Sequence, residues 1–341
     1  MRTLVWEAPR TMAMREQAEP EPQADEVLVK VAYAGICGSE LSGYLGHNAL
    51  RVPPLVMGHE FAGELAAIGA GARLRFPALA VGQRVTVNPL TYCGVCDFCQ
   101  RGLNHLCIKR KLLGAGRPGA FAEYVVAPAE LVHPLPDGMT LQTGALTEPA
   151  AVGVRIGEMA GRLEGQVGLV VGGGPIGLLA LQALQAQGAE RVFIVELDPH
   201  RLSMGAALGG EPLNPRSANV TEVVRAATHG YGVPVAVDAV GSAVTRASCI
   251  AATRSAGTVI LTGLHEETST LPAADVIRRE ISLRGCFAYS PANFAEALRR
   301  LGDGSLRLDP WIVEAPLAEG GQWFDRLIDE PGAVAKVLLV P

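Results

Sequence analysis

The sequence predicts a two-domain α/β protein, with a β-rich first third and a doubly wound parallel sheet in the second half. Two textures carry this expectation. Before about residue 147, short β-branched runs of alternating polarity are separated by Pro and Gly turns. Beyond it, apolar strands alternate with helix-period segments, a pattern that implies parallel pairing through βαβ units. At 341 residues the chain is long enough for two domains of ordinary size. Its hydrophobic share of 49% and mean hydropathy of +0.24 support sizeable cores rather than disorder.

Taken in order, residues 26–31, 82–87 and 122–126 are expected as strands of the first part. An apolar helix-period segment at 150–160 leads into a strand at 167–171, a glycine turn, and a helix reaching about residue 187. Strands at 191–196, 234–238, 258–262 and 281–287 then alternate with helices at 199–208, 220–228 and 243–251. The remaining chain returns to helices at 294–301 and 320–327 and closes on an apolar strand at 334–340. There are no internal repeats and no low-complexity segment.

Charge excludes several classes of function. A net charge of −5 argues against nucleic acid or an anionic membrane as partner, and the longest basic run is Lys109-Arg110-Lys111, a solvated loop. The opening MRTLVWEAPR is charged throughout and lacks an apolar core, so no secretory leader is expected. The most apolar stretch, 167–184, is interrupted by Gly172-Gly173-Gly174-Pro175 and Gly177 and would make a poor membrane span. A cytoplasmic protein is expected.

Four of the seven cysteines, Cys93, Cys96, Cys99 and Cys107, fall in YCGVCDFCQRGLNHLC with spacing C-x2-C-x2-C-x7-C. Four thiolates fill the tetrahedral shell of Zn2+ and leave no position for substrate, so such a metal is structural. Disulfides would suit a small secreted domain. A ferredoxin-type iron–sulfur run would place the fourth cysteine three residues on, followed by proline. Here the gap is seven and Ile108 follows. A zinc ribbon that reads nucleic acid would need well-separated cysteine pairs and a basic surface.

Gly172-Gly173-Gly174-Pro175-Ile176-Gly177 matches G-x-G-x-x-G, a weak signal alone because 40 residues are glycine. Its setting gives it force: an apolar strand precedes it, a helix starts at it, and the next strand ends in Glu196, 19 residues past Gly177. Gly172 would permit the tight turn, Gly174 the approach of backbone to a pyrophosphate, and Gly177 close helix–strand packing. Amides at the start of the helix, around Pro175 and Ile176, would hold the phosphate charge. Glu196 could accept from a ribose 2′-hydroxyl and would repel a 2′-phosphate, which favours NAD over NADP. Asp198 is a rival acid, and Arg201 could reach a phosphate if the loop bends inward.

The remaining chemistry is scattered among Cys37 and Ser39 in GICGS, His59 and Glu60 in GHE, and Glu148 in TEP. Each alone has an ordinary structural reading, a buried thiol, a satisfied imidazole or a solvated carboxylate. Together they are ligand types that Zn2+ accepts, and three ligands with an exchangeable fourth position define a catalytic site.

The order GICGSE, GHEFAGE, the four-cysteine run, TEPAAVG and GGGPIG resembles the zinc-dependent medium-chain dehydrogenase/reductase family, which includes alcohol, sorbitol and threonine dehydrogenases. Further matches are VDAVGS at 237–242, TGL at 262–264 and ISLRGCFAY at 281–289, so the resemblance covers essentially the whole chain. It implies a GroES-like β-rich catalytic domain over 1–149 and 288–341, carrying the four-cysteine zinc lobe at 90–110. A Rossmann NAD-binding domain over 150–287 is inserted into it. It further implies two Zn2+ per chain and NAD. The catalytic ion would be held by Cys37, His59 and a glutamate, Glu60 or Glu148, and Ser39 would bond the substrate oxygen. The family commonly carries G-S-D-x-H after the cysteine. This chain has Gly38-Ser39-Glu40-Leu41-Ser42, so the relay histidine is replaced by Ser42, with His47 the nearest substitute.

The resemblance thus implies NAD-dependent oxidation of a secondary alcohol, polyol or sugar-derived, to a ketone. The metal acts as Lewis acid and Ser39 passes the hydroxyl proton toward solvent through the nicotinamide ribose and Ser42 or His47. The enzymatic alternative is a threonine-type amino-alcohol dehydrogenase. The non-enzymatic one is a catalytically silent protein on the same scaffold, opposed by retention of Cys37, His59 and Glu148. A homo-oligomer, dimer or tetramer, is expected through the strand at 281–289.

Overall fold

A computed structural model describes residues 1–341. The chain divides into two units, one made of Met1–Ala151, Ser290–Ser305 and Ile312–Pro341, the other of Val152–Tyr289 and Leu306–Trp311.

In the first unit a seven-stranded sheet is centred on Glu26–Gly35, which pairs antiparallel with Glu60–Ile68, Tyr124–Pro128 and Lys336–Val340. Val27, Val29 and Val31 alternate into the core while Lys30 on the opposite face stays exposed, although Leu28 on that face is buried too. Arg84–Val87 and Val132–Pro134 extend one side, and Ile312–Pro316 closes the other, parallel to Lys336–Val340. The hairpin Arg2–Ala8 with Thr11–Glu16 forms a separate small sheet with Leu55–Val56. The core brings together Trp6, Phe61, Phe121 and Phe324, with the Phe324 ring edge-on to Tyr44 at 5.1 Å and to Phe121 at 6.0 Å.

The second unit holds a six-stranded, all-parallel sheet in the spatial order Glu211–Leu213, Arg191–Val195, Val167–Val171, Val233–Asp238, Thr253–Leu261, Ser282–Gly285. Numbered along the unit this is 3-2-1-4-5-6, the doubly wound dinucleotide-binding order. The first strand is buried from Gly168 to Val171, as expected of a strand covered on both faces. Its C-terminal end, Val171, lies between Val195 and Asp238, where strand order reverses. Ligands bind at such a switch point.

The structure departs from the sequence expectations mainly at element ends. The transition helix runs Thr147–Ala160 and begins three residues earlier than its apolar period suggested, which puts Glu148 in its first turn. The strand expected at 82–87 is Arg84–Val87, because Gly82 turns with φ +83°. The strand expected at 281–287 is Ser282–Gly285. The hairpin over 2–16 and the short helix Gly38–Tyr44 carry no clear sequence signal, the helix because it contains two glycines.

Candidate functional site

Cys93, Cys96, Cys99 and Cys107 form one cluster. The Sγ–Sγ separations are 3.5 Å for Cys96–Cys99 and Cys93–Cys107, 3.8 Å for Cys96–Cys107 and 4.0 Å for Cys93–Cys99. A disulfide would need about 2.05 Å. Four sulfurs each about 2.3 Å from one Zn2+ would lie roughly 3.8 Å apart at tetrahedral angles. The spacing therefore fits a closed Zn2+ site. Backbone amides favour the thiolate: Cys93 and Lys109 N–H each donate to Cys107 Sγ at 3.3 Å. The amides of Val95 and Cys96 draw the Cys93 thiol down to about 6, while burial and the neighbouring thiols push Cys99 up to about 12. A positive ion supplies what four adjacent thiols otherwise lack. Cys99→Ser is expected to remove one zinc and lower the thermal midpoint while leaving the KM of the remaining folded protein unchanged. Metal analysis with a melting curve and substrate titration checks this.

The second cluster contains Cys37, His59 and Glu60, whose ligand atoms all lie within 4.8 Å of one another. Topology builds it: Gly35 at the end of one strand pairs with Glu60 at the start of its neighbour, so both loops leave the sheet at the same edge. Glu40, which the sequence reading noted only as part of an altered motif, organises the site. It is fully buried; its Oε1 accepts from Gly58 N–H at 2.7 Å and lies 2.8 Å from His59 Nδ1, and its Oε2 accepts from Cys37 N–H at 3.0 Å. Holding the proton on Nδ1 leaves Nε2 free as a ligand, the carboxylate–histidine arrangement of zinc sites. Burial opposes the charge on Glu40, but His59, Arg51 and the Cys37 amide outweigh it and hold the carboxyl below its usual range. Its position three residues after Cys37 at a helix start is the sequence signal that could have revealed it.

Glu60 is hydrogen-bonded through one oxygen, Oε1, while its Oε2 is buried without a hydrogen-bond partner. Lys336, 3% exposed, approaches Glu60 Oε1 at 2.8 Å and Oε2 at 2.6 Å and also donates to Ile36 O at 3.0 Å. A Cβ on Gly35 would lie 2.3 Å from Glu60 Oε2, so glycine makes room for the carboxylate to cross toward Lys336. Burial lowers the Lys336 pKa, but Glu60, Cys37 and Glu148 together hold it above its ordinary value. Glu148 thus acts on the same ammonium from the first turn of its helix, although it lies outside the tight three-residue cluster. A lone lysine in the apolar strand Lys336–Val340 was the missed signal, since a buried ammonium demands a partner.

Ser39 Oγ donates to Cys37 Sγ at 3.4 Å and accepts from Arg51 Nη2 at 3.2 Å. Neither Ser42 nor His47 bonds Ser39 through its side chain; the pair meets through His47 N–H and Ser42 O at 2.9 Å. The expected route joins Ser39 to these residues through the nicotinamide ribose and does not call for such direct contacts.

At the switch point of the second unit, Gly174 caps the helix Pro175–Ala186, and a Cβ there would meet nothing within 4 Å. At Gly177 a Cβ would lie 1.8 Å from Gly172 O, so only glycine allows that approach. Ile176 follows Pro175 in the first turn, where backbone N–H groups lack helical partners. Glu196 Oε2 accepts from Gly173 N–H at 2.8 Å, and Oε1 accepts from Leu197 and Asp198 N–H at 2.6 and 3.0 Å. Oε2 keeps one lone pair in reserve, while both of those on Oε1 are taken. Asp198, the rival acid, caps the next helix by accepting from His200 and Arg201 N–H at 2.7 and 3.1 Å. Arg201 Nε is buried without a hydrogen-bond partner. The switch-point loop and helix start together fit a nicotinamide dinucleotide.

The chain matches the Alcohol dehydrogenase GroES-like domain over residues 23–137 and the Zinc-binding dehydrogenase family over 175–303. It is 33% identical to the D-arabitol-phosphate dehydrogenase of Enterococcus avium over 334 residues, covering 96% of this chain and 93% of that one. It is 32% identical to the sorbitol dehydrogenase of Halalkalibacterium halodurans, covering 96% and 95%. A candidate zinc-binding dehydrogenase from Sinorhizobium meliloti 1021, solved bound to NADP, superposes with TM-score 0.90 at 28% identity over 100% of this chain and 99% of that one. With the doubly wound sheet, the strand-rich first unit and whole-length relatives of this kind, the chain belongs to the zinc-dependent medium-chain dehydrogenase family.

Proposed function

We propose that this protein oxidises a secondary alcohol of the polyol or sugar-derived class to a ketone, with NAD as hydride acceptor. The observation that carries this reading is the Cys37–His59–Glu60 cluster organised by Glu40. When bound, zinc supplies Lewis acidity toward the substrate oxygen and the nicotinamide takes the hydride. The chain's own residues do the rest. Cys37 and His59 hold the metal, and Glu40 fixes the His59 tautomer. The third ligand would be Glu60, whose Oε2 is left without a hydrogen-bond partner beside Cys37 and His59, or Glu148 from the first turn of its helix. Ser39 receives the substrate's hydroxyl proton as its own proton moves to solvent, with Ser42 and His47 the nearest groups along the chain to take it through water. The catalytic unit comprises 1–149 and 288–341, and 150–287 binds the dinucleotide through Gly172, Gly174, Pro175, Ile176 and Gly177.

The four-cysteine cluster brings the count to two zinc ions per chain. Four thiols kept for metal suit a reducing compartment, which favours the cytoplasm, and no helix is long and apolar enough to cross a membrane. Ser282–Gly285 is an edge strand, which supports pairing into a homo-oligomer, dimer or tetramer.

Glu196 favours NAD over the NADP seen in the Sinorhizobium neighbour, because its carboxylate repels a 2′-phosphate. Arg201, with its buried Nε, is the group that would favour the phosphate. NADH and NADPH absorbance across sorbitol, butanediol, a phosphorylated pentitol and threonine tests the reading. Turnover of polyols with NAD is expected. Turnover of threonine alone would select the amino-alcohol alternative, and no turnover at all would select the silent scaffold. Glu196→Ala should shrink the NAD preference about 10-fold or more, the size of one lost hydrogen bond to a charged group. Equal kcat/KM for both cofactors in the unaltered protein would show that Arg201 dominates.

A further inference from the structure

Arg51 is 4% exposed, and its guanidinium is spent largely on one residue. Nη1 donates to Ser39 O at 3.1 Å and Nη2 to Ser39 Oγ at 3.2 Å, while Nε has no hydrogen-bond partner. A space is reserved for this side chain. A Cβ on Gly43 would lie 2.7 Å from Arg51 Cδ, so the helix Gly38–Tyr44 carries glycine where the arginine stem crosses it. Asn48 adds a longer bond, Nδ2 to Ser39 O at 3.4 Å, which ties the same loop to the same residue.

We propose that Arg51 is a positioning residue that holds the Ser39 hydroxyl in its proton-accepting orientation and sets a permanent positive charge beside it. The inference rests on the role given to Ser39 above. With Nη2–H on one lone pair of Oγ and the hydroxyl proton directed toward Cys37 Sγ, one lone pair remains to receive the substrate's proton. The guanidinium has no acceptor and does not lose its proton, so Arg51 is not itself a relay. Its charge favours Oγ while that oxygen is giving its own proton away, and no proton stays on the arginine. In a chain with serine at position 42, a fixed cation thus stands next to Ser39.

The competing role is structural. Arg51 also offsets the buried charge of Glu40 and anchors its loop. A double-mutant cycle separates the two, using Arg51→Met, Ser39→Ala and the pair. Arg51→Met is expected to keep its zinc content and KM while kcat falls about 100-fold, the low end of positioned proton transfer. The double variant should be no slower than Ser39→Ala alone, to within about twofold. A crystal structure of Arg51→Met should show the Ser39 hydroxyl turned away from Cys37.

If Arg51→Met does not fold, Arg51→Lys keeps the charge for Glu40 but can make only one of the two bonds. Gly43→Ala displaces the arginine stem without removing it. Each should lower kcat in a Ser39 background and have no further effect when Ser39 is alanine. Losses that multiply in the double variant, or kcat within twofold of the parent in folded Arg51→Met, would overturn the proposal. Full activity in Ser39→Ala would instead overturn the role of Ser39, and the assignment of Arg51 with it.

Discussion

His59→Ala is expected to lower kcat/KM by at least about 1,000-fold, the size of several kcal/mol of lost Lewis-acid stabilisation, and to leave the chain with one zinc. Cys37→Ala should behave alike. Each change leaves two donors at a site that needs three to hold a metal with one position open. The geometry sharpens the expectation for His59, because Glu40 fixes that ring and no other imidazole belongs to the cluster. Burial disfavours a charged His59, but Glu40 and Cys37 outweigh it and hold the pKa well above the ordinary 6.5. Without metal this environment favours the protonated ring, so zinc uptake at Nε2 competes with a proton. Zinc affinity at this site should fall as pH falls, and a competition titration with a chromogenic chelator checks the sign. Wild-type melting behaviour in His59→Ala, together with lost turnover, would place the effect in the chemistry rather than the fold.

Lys336→Met is expected to destabilise the protein by about 3–5 kcal/mol, the usual result of stripping a buried carboxylate of its only compensating partner. Glu60 and Lys336 are both essentially inaccessible, so solvent cannot take over the missing charge. The sign with pH follows from the raised lysine pKa. The lysine's share of the stability is fully present below 10.5, the unfolded value, and is lost as pH rises through the higher folded value. It is therefore constant across the neutral range. Urea unfolding of the parent and the variant measures it. Freed from the ammonium, Glu60 can compete for the metal, so Glu148→Ala should cost less activity in the Lys336→Met background than in the parent. An equal cost in both backgrounds would show that Lys336 does not govern the choice of ligand.

The legible parts of this chain were those written locally. Four cysteines within fifteen residues announce one centre wherever the sheet runs. The strand–glycine–helix run with Glu196 at the next strand end marks the dinucleotide loop, since strand order 3-2-1-4-5-6 places that loop at the reversal. The catalytic cluster was harder, because Cys37 and His59 meet only through the pairing of Gly35 with Glu60 across two strands. Ligand chemistry alone grouped them only as candidates, and the resemblance gave them their roles. The supporting charges were not visible at all. Arg51 and Lys336 lie 12 and 276 residues from the groups they contact, and no period or spacing links such pairs. Glu40 was present in the motif as a substitution for aspartate, and its three hydrogen bonds emerge only once the Gly58 turn folds back over it.

Counting zinc by native mass spectrometry, alongside NADH formation from sorbitol and related polyols on the same samples, tests the account most directly. The parent should carry two ions and turn over. His59→Ala should carry one and be silent, and folded Cys99→Ser should carry one and still turn over with an unchanged KM. Turnover that persists in His59→Ala, or that disappears in stable Cys99→Ser with its other zinc in place, would contradict the division of the two centres into a catalytic and a structural one.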